Sequence, residues 1–152
     1  MPVPFETTLL VRDTCLCLHA QRAARAIARR FDLALKPAGI TSGQFSLLMS
    51  LNRPEPPKLS SVAALLAMDR TTLTANLKPL ERRRLIKTAA DPADARARLL
   101  RLTPAGRTVL AKAVPVWLHI HAEIEKELSD PDGLRLELNI LSKSGNRNGV
   151  AR

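Results

Sequence analysis

The stretch DRTTLTANLKPLERRRL, residues 69–85, concentrates its chemistry in hydroxyls and cations. Thr71, Thr72 and Thr74 are short hydrogen-bonding side chains, and Arg70, Lys78 and Arg82 carry positive charge. Wound as a helix at about 100° per residue, Thr71, Thr74, Ala75, Lys78 and Arg82 share one face, and Leu73, Leu77 and Leu80 share the opposite one. A face of small donors and cations suits phosphate oxygens and base edges rather than bond-breaking chemistry. Asn76 has the amide to read an adenine, but its angle puts it on the flank. A solvated surface helix would show the same pattern, so neighbouring residues have to decide.

They supply a second basic cluster, DPADARARLLRLT, in which Arg96 and Arg98 follow the turn signal Asp91-Pro92. Arg96 at such a tip suits a narrow minor groove. From Arg70 to Arg101 the chain nets +6 of its total +10. Phosphate neutralisation supplies much of a duplex binder's affinity, so this concentration marks a DNA-facing surface. Arg83 and Arg84 fit stems that cover the hairpin base. Enzyme motifs do not compete: there is no glycine-rich phosphate loop and no nucleophile elbow. Nothing asks for a cofactor. Cys15 and His19 share a helix face, as metal ligands can, with His119 and His121 elsewhere, but no dense ligand motif supports a metal site.

These residues need elements to hold them. Leu16, Ala20, Ala23, Ile27, Phe31 and Leu35 recur at helical spacing and predict a long helix stopped by Pro37 and Gly39. Thr41 and Gln44 have capping-box spacing for a second helix. The proline-rich segment RPEPPK, residues 53–58, is a stiff linker, and Ser60 opens a short helix. Asp69 caps the helix of the opening stretch, and Pro79 should bend it. Residues after Leu85 alternate as strand, turn and strand. Thr103-Pro104 starts another long helix, with Leu110, Val114, Trp117, Ile120, Ile124 and Leu128 in its stripe and Pro115 as a kink. Asp130-Pro131 restarts a last helix carrying Leu134, Leu138 and Leu141. The predicted class is mainly α with a small β-hairpin wing, a winged helix-turn-helix plus a helical dimerisation region. Residues 1–37 and 104–145 form that helical region, 41–103 the DNA-binding lobe, and 146–152 a polar tail. The long helices carry apolar stripes that a second copy would cover.

The 152 residues suffice for one domain with a sizeable core, and 45% of them are apolar. No apolar run reaches the roughly 18 residues of a membrane span, and the N-terminus lacks a secretory pattern. The expected setting is cytoplasmic. Three phenylalanines, one tryptophan and no tyrosine leave few platforms for stacking single-stranded bases, so duplex contact is expected. Cys15 and Cys17, one residue apart, form no disulfide framework. On one helix they would point about 200° apart, and reduced thiols fit better. The rival class is a nonspecific basic protein binding nucleic acid or a membrane surface. The apolar stripes suit burial in a dimer rather than a membrane.

Four stretches, CLCLHAQRAARAIARRFD, GITSGQFSLLMSL, LAMDRTTLTANLKPLERR and DPADARARLLRLTPAGR, together resemble the MarR family of bacterial transcription regulators, over about residues 15–141. The resemblance implies a homodimer on a pseudo-palindromic double-stranded operator, usually a repressor, released by a small and often phenolic ligand or by cysteine oxidation. It implies DNA contact by Arg70, Thr71, Thr72, Thr74, Lys78, Arg82, Arg96 and Arg98, with Asp94 orienting a wing arginine through an ion pair. It also implies an effector cleft between the lobes, near His19, Arg22, Met49 and Trp117, although Trp117 fits plain interface core as well. Cys15 stands near the position where some members sense oxidants. Two departures stand out: Arg84 occupies a place where the family commonly has glycine, and the wing tip lacks one of its paired arginines.

Overall fold

The computed structural model describes residues 1–147, with side chains placed through residue 143. In chain order it contains α1 (Phe5–Thr14), α2 (Leu16–Leu35), a 3-10 turn (Lys36–Ala38), α3 (Ser42–Ser50) and α4 (Leu59–Leu65). Then follow α5 (Arg70–Arg82), β1 (Ile86–Asp91), β2 (Asp94–Leu102), α6 (Pro104–Glu125) and α7 (Pro131–Arg147). The architecture is the one expected, mainly α with a two-stranded antiparallel hairpin. Of the tail expected at 146–152, residues 148–152 lie outside the described residues.

Local chemistry sets the helix starts. Thr41 Oγ1 accepts the Gln44 amide at 3.2 Å and Gln44 Oε1 accepts the Thr41 amide at 3.1 Å, a complete capping box for α3. Thr103 Oγ1 accepts the Gly106 amide at 3.0 Å and donates to the Arg84 carbonyl at 2.7 Å. One buried hydroxyl thus starts α6 and ties it to the turn before the hairpin. Gly106 is required there, because a Cβ would lie 2.0 Å from the Leu85 carbonyl oxygen. Helices α5 and α6 run through Pro79 and Pro115 without interruption. One helix was not foreseen: α1 precedes the long helix, and the chain breaks at Cys15, which caps α2 instead of lying within a helix.

The core is formed where α3, α4, α5, the hairpin and the first half of α6 meet the C-terminal end of α2. Leu35, Leu48, Val62, Leu73, Leu80, Leu100 and Ala113 are fully buried within it. The predicted leucine face of α5 is the buried one, with Leu77 also inside. The α2 stripe divides. Leu35 is buried and Phe31 packs on the core, but Leu16 and Ile27 remain exposed. Exposed apolar side chains continue on α1 and α7, among them Phe5, Leu10, Leu136 and Ile140.

Candidate nucleic-acid interface

The recognition-helix candidate α5 starts at an acidic cap. Asp69 Oδ1 accepts the Thr72 amide at 2.7 Å, and Oδ2 accepts the Thr72 hydroxyl at 2.8 Å. Those hydrogen bonds, led by the Thr72 amide, hold the Asp69 carboxyl below the usual aspartate range. Thr72 therefore spends its proton inside the cap. Thr74 Oγ1 donates to the Arg70 carbonyl at 2.7 Å. Among the described residues the Thr71 hydroxyl makes no hydrogen bond, which leaves it as the threonine open to a phosphate. Leu73, Leu77 and Leu80 anchor the helix from behind, so Thr71, Thr74, Ala75, Lys78 and Arg82 are exposed together.

Strand alternation positions the wing. Ile86 pairs with Leu102, Thr88 with Leu100 and Ala90 with Arg98 in the antiparallel register. Leu102 and Leu100 are buried, and the same face continues outward with Arg98; beyond it the register shifts before the Asp91–Asp94 pair, and the bulged stretch carries Arg96. Lys87 and Arg101 project from the opposite face, so they are set apart from the cluster that their sequence proximity suggested. Arg98 and the bulged stretch with Arg96 meet the starts of α4 and α5. A cleft of about 230 Å³ there is lined by Lys58, Ser60, Arg70, Asp94, Arg96 and Arg98, among others. An adjoining cleft includes Arg70, Thr74, Glu81, Thr88 and Arg98. Arg70, Arg96 and Arg98, three of the expected contacts, thus converge. Lys78 and Arg82 lie further along α5, around a separate shallow cleft with Glu81.

Lys58 is the cation that sequence reading missed. It sits at the end of the proline-rich linker and bridges Leu99 of β2, while the Leu100 amide donates to the Pro57 carbonyl at 3.0 Å. Its ammonium lies 3.8 Å from Asp91, whose side chain is only 12% exposed. The end of the linker therefore touches the outer edge of β2 through one isolated bridge and one backbone hydrogen bond. The wing aspartate also behaves differently from the expectation. Asp94 Oδ1 accepts the Arg96 backbone amide at 3.0 Å, and no ion pair joins Asp94 to an arginine among the described residues. The short aspartate reaches the amide two residues on, which shapes the tip and leaves the arginine side chains unpaired. Arg84 closes the turn between α5 and β1 with φ of 57°, the left-handed conformation that glycine adopts without strain.

The four effector candidates separate into two places. Met49 and Trp117 line one cleft of about 500 Å³ with Phe45, Leu65, Val114 and Leu118, and Arg53 is its one charged lining residue among those described. Trp117 stacks between Phe45, at 5.9 Å between ring centroids, and His121, at 4.5 Å. His19 and Arg22 lie instead on α2 beside Arg25 and Arg29, a basic helix face distinct from that cleft. They were grouped with Met49 by the expected cleft between lobes, but their part of α2 extends beyond the core.

Cys15 is half-buried, and its Sγ lies 3.5 Å from the Leu18 amide at the start of α2. Its position off the helix removes the premise that both cysteines point from one helix. Cys17 is exposed, and Gln21 donates to its sulfur at 3.2 Å. His19 Nδ1 meets the Cys15 carbonyl oxygen at 2.8 Å rather than the sulfur. Among the described residues no three metal-ligating side chains come together.

A hairpin wing beside a capped, cation-faced helix defines a winged helix DNA-binding protein, and a winged helix DNA-binding domain matches residues 40–106. The transcriptional regulator MosR of M. tuberculosis, solved in complex with DNA, is 35% identical with a TM-score of 0.83, over 90% of this chain and 100% of that one. The chain belongs to the MarR family of winged helix-turn-helix transcriptional regulators. It is also 29% identical over 109 residues to the HTH-type transcriptional regulator BilQ of Clostridioides difficile (strain CD3), covering 72% of this chain and 74% of BilQ. The repressor CouR on a 23-mer DNA duplex is 27% identical with a TM-score of 0.71, over 89% of this chain and 95% of that one. CouR from Rhodococcus jostii RHA1 has also been solved bound to p-coumaroyl-CoA.

Proposed function

We propose that this transcriptional regulator acts as a homodimeric repressor of a two-half-site operator, with α5 in the major groove and the wing tip in the adjacent minor groove. The observation that carries the reading is the convergence of Arg70, Arg96 and Arg98 on one cleft between helix and wing. Three cations from two elements can then engage one duplex backbone together. Thr71, Thr74, Lys78 and Arg82 extend that surface along α5, Thr72 contributes through the cap, and Asp94 shapes the tip. The uncovered apolar positions on α1, α7 and the first half of α2 support pairing with a second copy. The helical regions 1–37 and 104–145 then serve dimerisation, and residues 41–103 serve DNA.

The input of this reading is a small ligand in the cleft of Met49 and Trp117. That cleft is mostly apolar with one guanidinium at Arg53, as a flat organic acid or phenol requires. The His19 and Arg22 face lies elsewhere and needs no part in it. Oxidation at Cys15 is a second input, supported by its half-exposed sulfur at a helix start. The test uses a duplex selected by the protein from a random pool, compared with its scrambled version across salt. Preference for the selected duplex supports the reading, whereas equal binding to both turns it into a nonspecific basic protein. Adding a hydroperoxide to the wild type, Cys15→Ser and Cys17→Ser separates the two inputs: release that persists in both variants removes the cysteine.

A further inference from the structure

We infer that Glu81 and Thr88 form a clasp that fixes the angle between recognition helix and wing, so that both are positioning residues for sequence preference. The inference rests on the DNA-binding reading above. Thr88 donates its hydroxyl hydrogen to Glu81 Oε1, from the inner face of β1 to the last turn of α5. Its place on the strand makes this bond matter. Leu100, directly across from Thr88, is buried, and further in Ile86 and Leu102 are buried against the core. Further out, Arg98 continues that face and the bulged tip adds Arg96 to the same cleft. The clasp stands where apolar packing ends and the basic part of the wing begins.

The Glu81 carboxylate has no other hydrogen-bond partner among the described residues, while its backbone carbonyl accepts the Arg84 amide at 2.8 Å in the turn that ends α5. It is exposed, and no arginine or lysine comes within ion-pair distance, although Arg70 and Arg98 line the same cleft. A carboxylate there repels phosphate on every duplex, so its charge works against affinity. What it can add is geometry. From Ile86 to Asp91 the strand spans about 17 Å, so rocking by about 10° about the hairpin base moves the tip by roughly 3 Å. That displacement is the length of a hydrogen bond and removes a wing contact while α5 stays seated. On the other edge of the wing, Lys58 and Asp91 hold the linker, so the hairpin stays folded when the clasp is cut.

The test compares full-length Thr88→Val, Thr88→Ser, Glu81→Ala and Glu81→Gln with the wild type, on the selected and scrambled duplexes, with thermal unfolding alongside. Thr88→Val and Glu81→Ala should lower the preference for the selected duplex roughly three- to tenfold, with unfolding temperatures close to the wild type. Thr88→Ser keeps the hydroxyl and should restore the preference. Glu81→Gln keeps an acceptor oxygen and should restore it too, while binding both duplexes more tightly. An unchanged preference in Thr88→Val and Glu81→Ala overturns the clasp while the DNA-binding reading stands. A wild type without preference overturns that reading, and the clasp with it.

Discussion

At the scale of single residues, the site works by freeing some side chains and occupying others. Among the described residues the Arg96 guanidinium makes no ion pair, and Asp94 Oδ1 accepts its backbone amide instead. Arg96→Ala should therefore weaken binding to the selected duplex about tenfold, lower the salt slope by roughly one, and leave thermal stability unchanged. Filter binding or fluorescence anisotropy across salt checks this, and unchanged affinity would remove the wing contact. Arg84 carries the strain of a left-handed backbone, so Arg84→Gly should stabilise the protein by up to about 1 kcal/mol in denaturant titrations. Asp69 contributes one part of the pH dependence, beside other carboxyls held low such as Glu127. Its carboxyl is held low in the folded protein, so the unfolded chain binds the proton more readily. The cap's contribution is fully present above the ordinary value of 3.8 and is lost as pH falls through the lower folded value. Asp69→Asn should flatten the acid limb of the unfolding-temperature profile over that window.

At the scale of elements, α5 and the wing hold together through packing that tolerates little change. Leu77 is 3% exposed, so Leu77→Asp places a charge in the core and should unfold the lobe by circular dichroism. Gly106→Ala should also be severely destabilising, since its Cβ has no room beside the Leu85 backbone. Elements written in local patterns were legible in the sequence: the Thr41, Asp69 and Thr103 caps, the leucine face of α5 and the strand alternation all depend on neighbours within four residues. Contacts between distant segments were not. Nothing near Lys58 or Asp91 announces that the linker pairs with the wing, and nothing near Thr88 announces Glu81. Arg30 and Glu127 form a paired hydrogen bond at 2.9 and 2.7 Å from α2 to the turn after α6, which holds the Glu127 carboxyl below its ordinary range. Their separation along the chain hides that bond from any local reading. α1, inside the helical region expected over residues 1–37, has no local signal of its own: its N-cap, Pro4, makes no side-chain hydrogen bond and none of its residues is buried. The convergence of Arg70, Arg96 and Arg98 was half-legible, with the residue types readable and their meeting point fixed only by the register of β2.

At the scale of the whole molecule, the uncovered helices carry the remaining predictions. Leu138 is 46% exposed on α7, and Leu138→Glu should yield single chains in sedimentation. Binding to a duplex with two half-sites should then fall roughly 100-fold or more, because each lobe loses the effective concentration its partner supplies. A monomer that kept full affinity would mean one lobe suffices. The chain also carries a built-in lamp. It has a single tryptophan and no tyrosine, and that indole sits between Phe45 of the DNA lobe and His121 of the long helix. Ultraviolet emission from the unlabelled protein therefore comes from one known spot, the wall of the cleft that Met49 and Arg53 also line. Under the proposed ligand input, its colour and brightness should change as that cleft fills, with no dye attached.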